Sequence, residues 1–298
     1  MRLKHIDTLV SDVYKVLGGE GDWTSEIKKF VSSGMEELIE TRFINPEVRK
    51  LALSPSSLGE ICQRKLWYKF NTEHKDNVSS GMIGTFFYGD LVELVLIGMI
   101  KASGHSIEGL QERVTIDTMT GSIDCIIDGM LVDIKSASGF GFTKFKKHNL
   151  KEDDPYGYIS QLSSYLYGLQ NDTRITNKNT AAFLVVNKER FELILDVYDL
   201  TEEVANKSKE LEEAKALISS PTPPERPKWK FLDKEKEPYY SEDEEDGSNR
   251  KLGKTCSYCP YKFTCWNNEL RVFQYSNERR YFTEVNKEPK VAEITNLH

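Results

Sequence analysis

The chain has 298 residues, 39% of them hydrophobic, with 40 Lys and Arg against 47 Asp and Glu for a net charge of −7. That is enough apolar material for one large domain or two small ones with a sizeable core, and it excludes a disordered chain. Five cysteines, an odd number, do not make a disulfide framework and fit a reducing, intracellular setting. The acidity is local. Residues 233–246 contribute −6, leaving −1 for the rest, so the net charge does not argue against a nucleic-acid partner.

Asp7 and Asp12 come early, and no apolar run near them ends in a small-residue cleavage site, so no secretory signal is expected. Thr24 to Phe43 reads as an amphipathic helix, with Ile27, Phe30, Val31, Met35, Leu38 and Ile39 at helical spacing. Ser54-Pro55 opens a second helix that carries Leu58, Ile61, Cys62, Leu66 and Trp67. A third runs from about Ser80 to Ser103 and is apolar on nearly every face after Gly89. Its most apolar part, Leu91 to Ala102, is about 12 residues and contains Glu93, so no membrane span is expected.

Three strand-like runs follow: Leu110 to Asp117, Ser122 to Ile127 and Met130 to Lys135. A Gly-containing stretch and a basic segment, Thr143 to His148, lead to a helix from about Tyr156 to Leu169. Ala181 to Asn187 and Phe191 to Tyr198 read as strands, and Thr201 to Ile218 as a charged helix with Thr201 as N-cap. Residues 221–238 hold five of the ten prolines, and the acidic run follows, which marks an exposed, mobile segment. The order implies a mixed α/β fold with helical additions. The expected divisions are an N-terminal helical extension (1–53), a core (54–219), the Pro-rich and acidic segment (220–255) and a cysteine-bearing C-terminus (256–298).

The most informative stretch runs from Gly121 to Lys135. Asp128-Gly129 between two β-rich runs is a two-residue hairpin signal. Such a turn sets Ile127 against Met130, Cys125 against Val132 and Asp124 against Asp133. Two carboxylates then face each other at roughly 4.5–5.5 Å between Cβ atoms and repel unless a cation intervenes. Lys135 projects from the same face as Asp133, while Ile123, Cys125, Val132 and Ile134 form the apolar face. Two or three carboxylates suit Mg²⁺ or Mn²⁺. Glu93, on a helix apolar nearly all round, needs a cation or strong donors, with Asp90 competing for that role. Gln161 and Tyr165 share a helix face at i, i+4.

Cys256, Cys259 and Cys265 have metal-type spacing and lack one ligand for a four-thiol site of zinc or iron–sulfur type. Cys125 belongs to the apolar hairpin face, which leaves Cys62. His74 and His148 could serve a zinc site but lack metal-like spacing. Lys144, Lys146, Lys147 and His148, interleaved with Phe142 and Phe145, suit phosphates and bases.

Taken in order, these motifs resemble the PD-(D/E)XK nuclease superfamily. They are most similar to RecB-like exonucleases that carry an iron–sulfur cluster, a group including CRISPR-associated adaptation exonucleases, phage relatives and the AddB nuclease domain. The resemblance rests on Gly89 to Glu93, Gly121 to Asp124, Asp133-Ile134-Lys135, Gln161 to Tyr165, and Cys62 with the C-terminal triplet, and it spans about 55 to 270. It departs in having Glu93 where many relatives have His. It implies a restriction-endonuclease-like core, metal-dependent DNA cleavage, and Glu93, Asp124 and Asp133 on one or two Mg²⁺ or Mn²⁺ ions. Lys135, Gln161 and Tyr165 would assist catalysis, and Cys62, Cys256, Cys259 and Cys265 would hold a [4Fe-4S] cluster, with Zn²⁺ the alternative. The expected partners are single-stranded DNA or DNA ends, with a homo-oligomer or a recombination or helicase partner possible. The expected setting is inside a cell, including a phage protein in its host, with no membrane.

Overall fold

The computed structural model describes residues 4–46, 52–73, 80–226, 249–267 and 269–295. Most of the expected Pro-rich and acidic segment, and His74, lie outside the described residues. The described chain divides into two units. Met1–Gly59 with Asn77–Glu212 form the first, and Glu60–Asp76 with Glu213–His298 the second.

The first unit begins with helix α1 (Leu9–Lys15), whose Leu9 and Val13 are fully buried. Helix α2 (Ser25–Ile39) starts where expected, because the Thr24 hydroxyl accepts the Ile27 amide at 3.2 Å. The helix expected to run on from Ser54-Pro55 is broken. It forms a single turn, α3 (Pro55–Leu58), and α4 (Gln63–Asn71) begins afresh in the second unit with Cys62 as its N-cap residue. Cys62 is therefore on a turn rather than within a helix.

Helix α5 (Ser80–Ala102) matches its predicted span. Over 23 residues, with mean hydropathy 1.7 in its most apolar window, it is long and apolar enough to cross a membrane by length and composition alone. That differs from the expectation drawn from Leu91–Ala102, because the apolar character extends back through Phe86 and Phe87. Its Leu96, Ile97 and Ile100 are buried among sheet residues, while 28% of that apolar window as a whole is buried.

Strand β1 (Ile107–Glu108) precedes a separate two-stranded ribbon of β2 (Arg113–Ile116) and β3 (Met119–Ser122). The predicted strand Ser122–Ile127 is thus interrupted: Ser122 pairs with Arg113, and a new strand, β4 (Cys125–Ile127), begins after Asp124. Asp128 and Gly129 take φ of 48° and 84°, the left-handed geometry that a tight hairpin needs. The turn returns the chain into β5 (Met130–Ala137) in the predicted register, Cys125 opposite Val132 and Ile127 opposite Met130.

The basic segment after β5 is helical. Phe142 and Phe145 are both buried on α6 (Gly139–Lys146), three residues apart. Helix α7 (Tyr158–Gly168), strands β6 (Thr180–Asn187) and β7 (Leu193–Asp199), and helix α8 (Thr201–Ile218) follow. The α8 start is capped by Asp199, which accepts the Thr201 amide at 2.9 Å and hydroxyl at 2.6 Å, so Thr201 is the capped residue rather than the cap.

The central sheet has the order β1-β4-β5-β6-β7. Only β5 and β6 are parallel; the other neighbours are antiparallel. This is a mixed sheet with helices against it. One face carries Cys125, Ile127, Val132, Ile134, Ala182, Leu184 and Val186, packed with Leu9, Val13, Leu96 and Ile100. Each fully buried Leu, Ile or Val contributes roughly 1.5–3 kcal/mol, so this layer fixes the sheet rigidly behind the acidic face.

In the second unit, β8 (Arg250–Lys251), α9 (Lys254–Tyr258), α10 (Lys262–Cys265), β9 (Arg271–Gln274) and β10 (Arg279–Glu284) follow. A three-stranded antiparallel sheet, β8-β10-β9, lies beside the cysteine turns, and the sequence reading had not anticipated it. Leu252, Trp266 and Leu270 form a small core against Cys256, Cys265 and Phe263. Trp67, Tyr68 and Tyr261 form another against Cys259 and Cys265.

Candidate functional site

The hairpin brings Asp133 and Lys135 onto one face of the central strand. Lys135 Nζ lies 2.6 Å from Asp133 Oδ2, although not at a hydrogen-bonding angle, and that buried oxygen has no hydrogen-bond partner among the described residues. Asp124 does not stand in the ladder opposite Asp133 as predicted. The strand breaks before it, and its side chain reaches across to accept the Ile134 amide at 2.7 Å. The break thus turns a cross-strand neighbour into a side chain that caps the adjoining strand.

Glu93 projects from α5 toward the same carboxylates, and Gln111 Nε2 donates to its Oε1 at 2.6 Å. Burial pushes Glu93 up to about 7, with the nearby Asp133 and Asp90 adding to the rise and Gln111 opposing it. Asp124 is also raised well above the usual carboxylate range, first by burial and then by Asp133 and Glu93. Burial works against the Lys135 ammonium, but Asp133 and Asp124 outweigh it and hold Lys135 above its ordinary value. Asp90, the competing helix acid, is paired with Arg42 at 2.6 Å.

Tyr165 is buried on α7, and burial raises its phenol to about 12 with Gln161 opposing. The Gly121 position has a steric reason. A Cβ there would lie 2.6 Å from Tyr165 Oη and 2.9 Å from Pro55 Cδ, so only glycine lets the phenol reach this strand. Sequence reasoning missed Gln111 and also Tyr158, whose ring centroid lies 5.2 Å from Lys135 Nζ. Tyr158 could have been found from its place one turn before Gln161.

The predicted basic residues are mostly engaged. Lys144 pairs with Asp153 and Lys146 with Glu192, each at 2.6 Å, and Lys147 is exposed. His148 is drawn away from the backbone-facing role, with Nδ1 2.6 Å from Asp196 Oδ1 and its ring stacked on Tyr198 at 4.3 Å.

In the second unit, Cys62, Cys256, Cys259 and Cys265 line one small cavity, together with Arg64, Lys65 and Lys262. Burial raises the thiols of Cys62 and Cys256, and takes Cys259 to about 11; the neighbouring cysteines add to each rise. The Arg64 Nε–H points to Cys265 Sγ at 3.3 Å. Cys125, as expected, is buried on the apolar hairpin face in the first unit. Among the described residues, no three His, Cys, Asp or Glu side chains already close round a single metal position. In the carboxylate group, a separate protein group holds each acid: Gln111, the Ile134 amide and Lys135.

No protein-family model matches the chain, and no curated protein matches it. A solved structure described as the crystal structure of SSO0001 is similar over 65% of this chain and 87% of its own, at 14% identity and a TM-score of 0.34.

Proposed function

We propose that the chain is a metal-dependent DNA nuclease of the PD-(D/E)XK type. Its substrate would be single-stranded DNA or DNA ends in recombination, repair or processing, and it would act as an exonuclease. The observation that carries this reading is that Glu93, Asp124, Asp133 and Lys135 lie close enough to act on one another electrostatically as one group. Two of its acids are raised by burial and mutual repulsion, and one buried carboxylate oxygen lacks a hydrogen bond. Such a group is unstable without a cation beyond Lys135.

The donors fit Mg²⁺ or Mn²⁺, because all are hard carboxylate oxygens. Glu93, Asp124 and Asp133 would hold the metal, exchanging their present partners for it. A divalent ion held there would supply Lewis-acid activation of water and charge stabilisation at the leaving oxygen. Lys135, kept charged by the acids, orients the attacking water and balances charge that develops on the phosphate. Tyr158 sets its ring against that ammonium, and Gln161 with Tyr165 would position Lys135 or the DNA backbone.

The four cysteines of the second unit fit a thiolate-bound cluster, because soft sulfur ligands surround one cavity and Arg64, Lys65 and Lys262 offset their charge. A [4Fe-4S] cluster there would staple α4 to the α9–α10 turns. Zn²⁺ is the alternative, separated by iron content.

The test is hydrolysis of end-labelled single-stranded DNA with Mg²⁺ or Mn²⁺, with and without EDTA, by wild type and Asp133→Ala. Metal-dependent cleavage lost in Asp133→Ala is expected, with the folded state retained or stabilised in metal-free buffer. Wild-type turnover by metal-stripped Asp133→Ala would overturn the assignment. DNA binding with no hydrolysis would leave a non-catalytic end-binding subunit.

A further inference from the structure

A cavity of about 170 Å³ opens beside the proposed catalytic lysine. It is lined by Lys135, Ser136, Ser138, Lys144, Tyr158 and Lys188, with Tyr156 at its side. Three features set it apart from an ordinary surface dent. Tyr156 is 70% exposed and Phe140, beside the lining residues Ser138 and Gly141, is 79% exposed, although both are large rings that folding normally covers. Tyr156 lies 5.4 Å from Tyr158, whose ring in turn lies 5.2 Å from Lys135 Nζ, so aromatic surface leads continuously to the reacting lysine. Lys188 is half-buried and has no acidic partner among the described residues, whereas Lys144 is tied to Asp153.

We propose that this cavity receives an unpaired deoxynucleotide at a strand end, its base stacked on Tyr156 with Phe140 flanking the mouth, and its phosphate drawn toward Lys135 by Lys188. This rests on the nuclease reading and narrows it to single-stranded ends. The cavity has room for a phosphate and sugar with the base on the Tyr156 ring at its mouth, and is too small for a base pair. Base stacking on a tyrosine ring is tolerant of sequence and strong enough to hold one base. The ammonium supplies the salt-dependent part. The predicted basic run Lys144–Lys147 contributes less than this set, because Lys144 and Lys146 are already paired with acids.

The experiment measures fluorescence anisotropy of a labelled 12-mer of thymidylate and of a blunt duplex of the same length, in EDTA so that no cleavage occurs. Wild type, Tyr156→Ala, Tyr156→Phe, Phe140→Ala and Lys188→Gln are compared. Tyr156→Ala should weaken single-strand binding about tenfold, and Tyr156→Phe should restore it, since the ring and not the hydroxyl is used. Phe140→Ala should cost less than Tyr156→Ala. Lys188→Gln should lower the salt slope by about 0.7. The duplex should bind weakly and be indifferent to Tyr156. Wild-type affinity of Tyr156→Ala for the single strand, or an equal loss on the duplex, overturns the proposal. Because these arms need no hydrolysis, a protein that binds as expected yet cleaves nothing with Mn²⁺ refutes the nuclease reading and leaves the nucleotide site standing.

Discussion

The carboxylate group and the thiol group are built in opposite ways. Asp133 sits on the central strand β5, Glu93 on the long helix α5 and Asp124 in the break before β4. Glu93 and Asp124 each accept a hydrogen bond, whereas Asp133 Oδ2 has the Lys135 ammonium beside it and no hydrogen bond among the described residues. The cysteines come from short turns that a small apolar core holds together, and they meet at one cavity. A sheet can keep repelling acids close because its far face is locked by buried aliphatic side chains. Short turns supply no such frame, so the thiol site depends far more on whatever it binds. Loss of the bound group should therefore matter greatly for the second unit's fold and little for the first.

The largest expected effect follows from that asymmetry. With the proposed cluster bound, Cys62→Ser should lose the iron and colour and unfold more easily by several kcal/mol, as ligation free energy disappears from folding. Cys125→Ser should keep its iron, since Cys125 is buried in the aliphatic layer of the other unit. Iron content and thermal unfolding of both purified variants check this. Equal iron in Cys62→Ser and wild type would remove Cys62 from the ligand set.

Next is Lys135→Ala. On the proposed nuclease reading it should lower turnover about a hundredfold or more while changing single-strand affinity far less, because its charge would act on the transition state. Single-turnover cleavage set against binding in EDTA separates the two; an equal loss in both would move Lys135 to a binding role.

Gly121→Ala sharpens the comparison on the two-stranded ribbon that leads into Asp124. The added methyl meets Tyr165 Oη and Pro55 Cδ at less than 3 Å, so it should cost about 1–3 kcal/mol. Urea unfolding of Gly121→Ala beside the double variant with Tyr165→Phe checks the cause, since deleting the hydroxyl should recover part of the loss.

How much of this could be read in the chain differs by element. The hairpin register was legible because Asp128-Gly129 allows only one pairing. The break before Asp124 was not, because Ile123 and Cys125 keep the apolar alternation running through it. The α6 helix was hidden by its lysines, although Phe142 and Phe145 at three-residue spacing marked its buried face. The Gly59 that ends α3 hinted that Cys62 lies outside that helix. The cavity beside Lys135 was illegible, since Tyr156 precedes α7 and Lys188 follows β6, 32 positions apart, and only folding brings both to its lining. The β9–β10 hairpin escaped notice because β9 has only four residues and half of β10 is charged.

The smallest effect concerns Glu93, and it tests whether the acids are held under strain in the absence of metal. The ordinary glutamate value is 4.5, and burial takes Glu93 to about 7 in the folded chain. Between those values the folded state holds a proton that the unfolded state has released. Stability in EDTA therefore falls as pH rises from about 4.5 to about 7, then stays level as far as this group is concerned. The full shift sets a ceiling of roughly 3 kcal/mol. Glu93→Gln removes the charge but also disturbs the bond from Gln111, so a net gain of about 1 kcal/mol at pH 8 and none at pH 4.5 is expected. Urea unfolding of both proteins across that range measures it. A gap that widens toward low pH instead would mean that Glu93 is stabilised as a carboxylate by its surroundings, and the acidic face would then need no metal to be content.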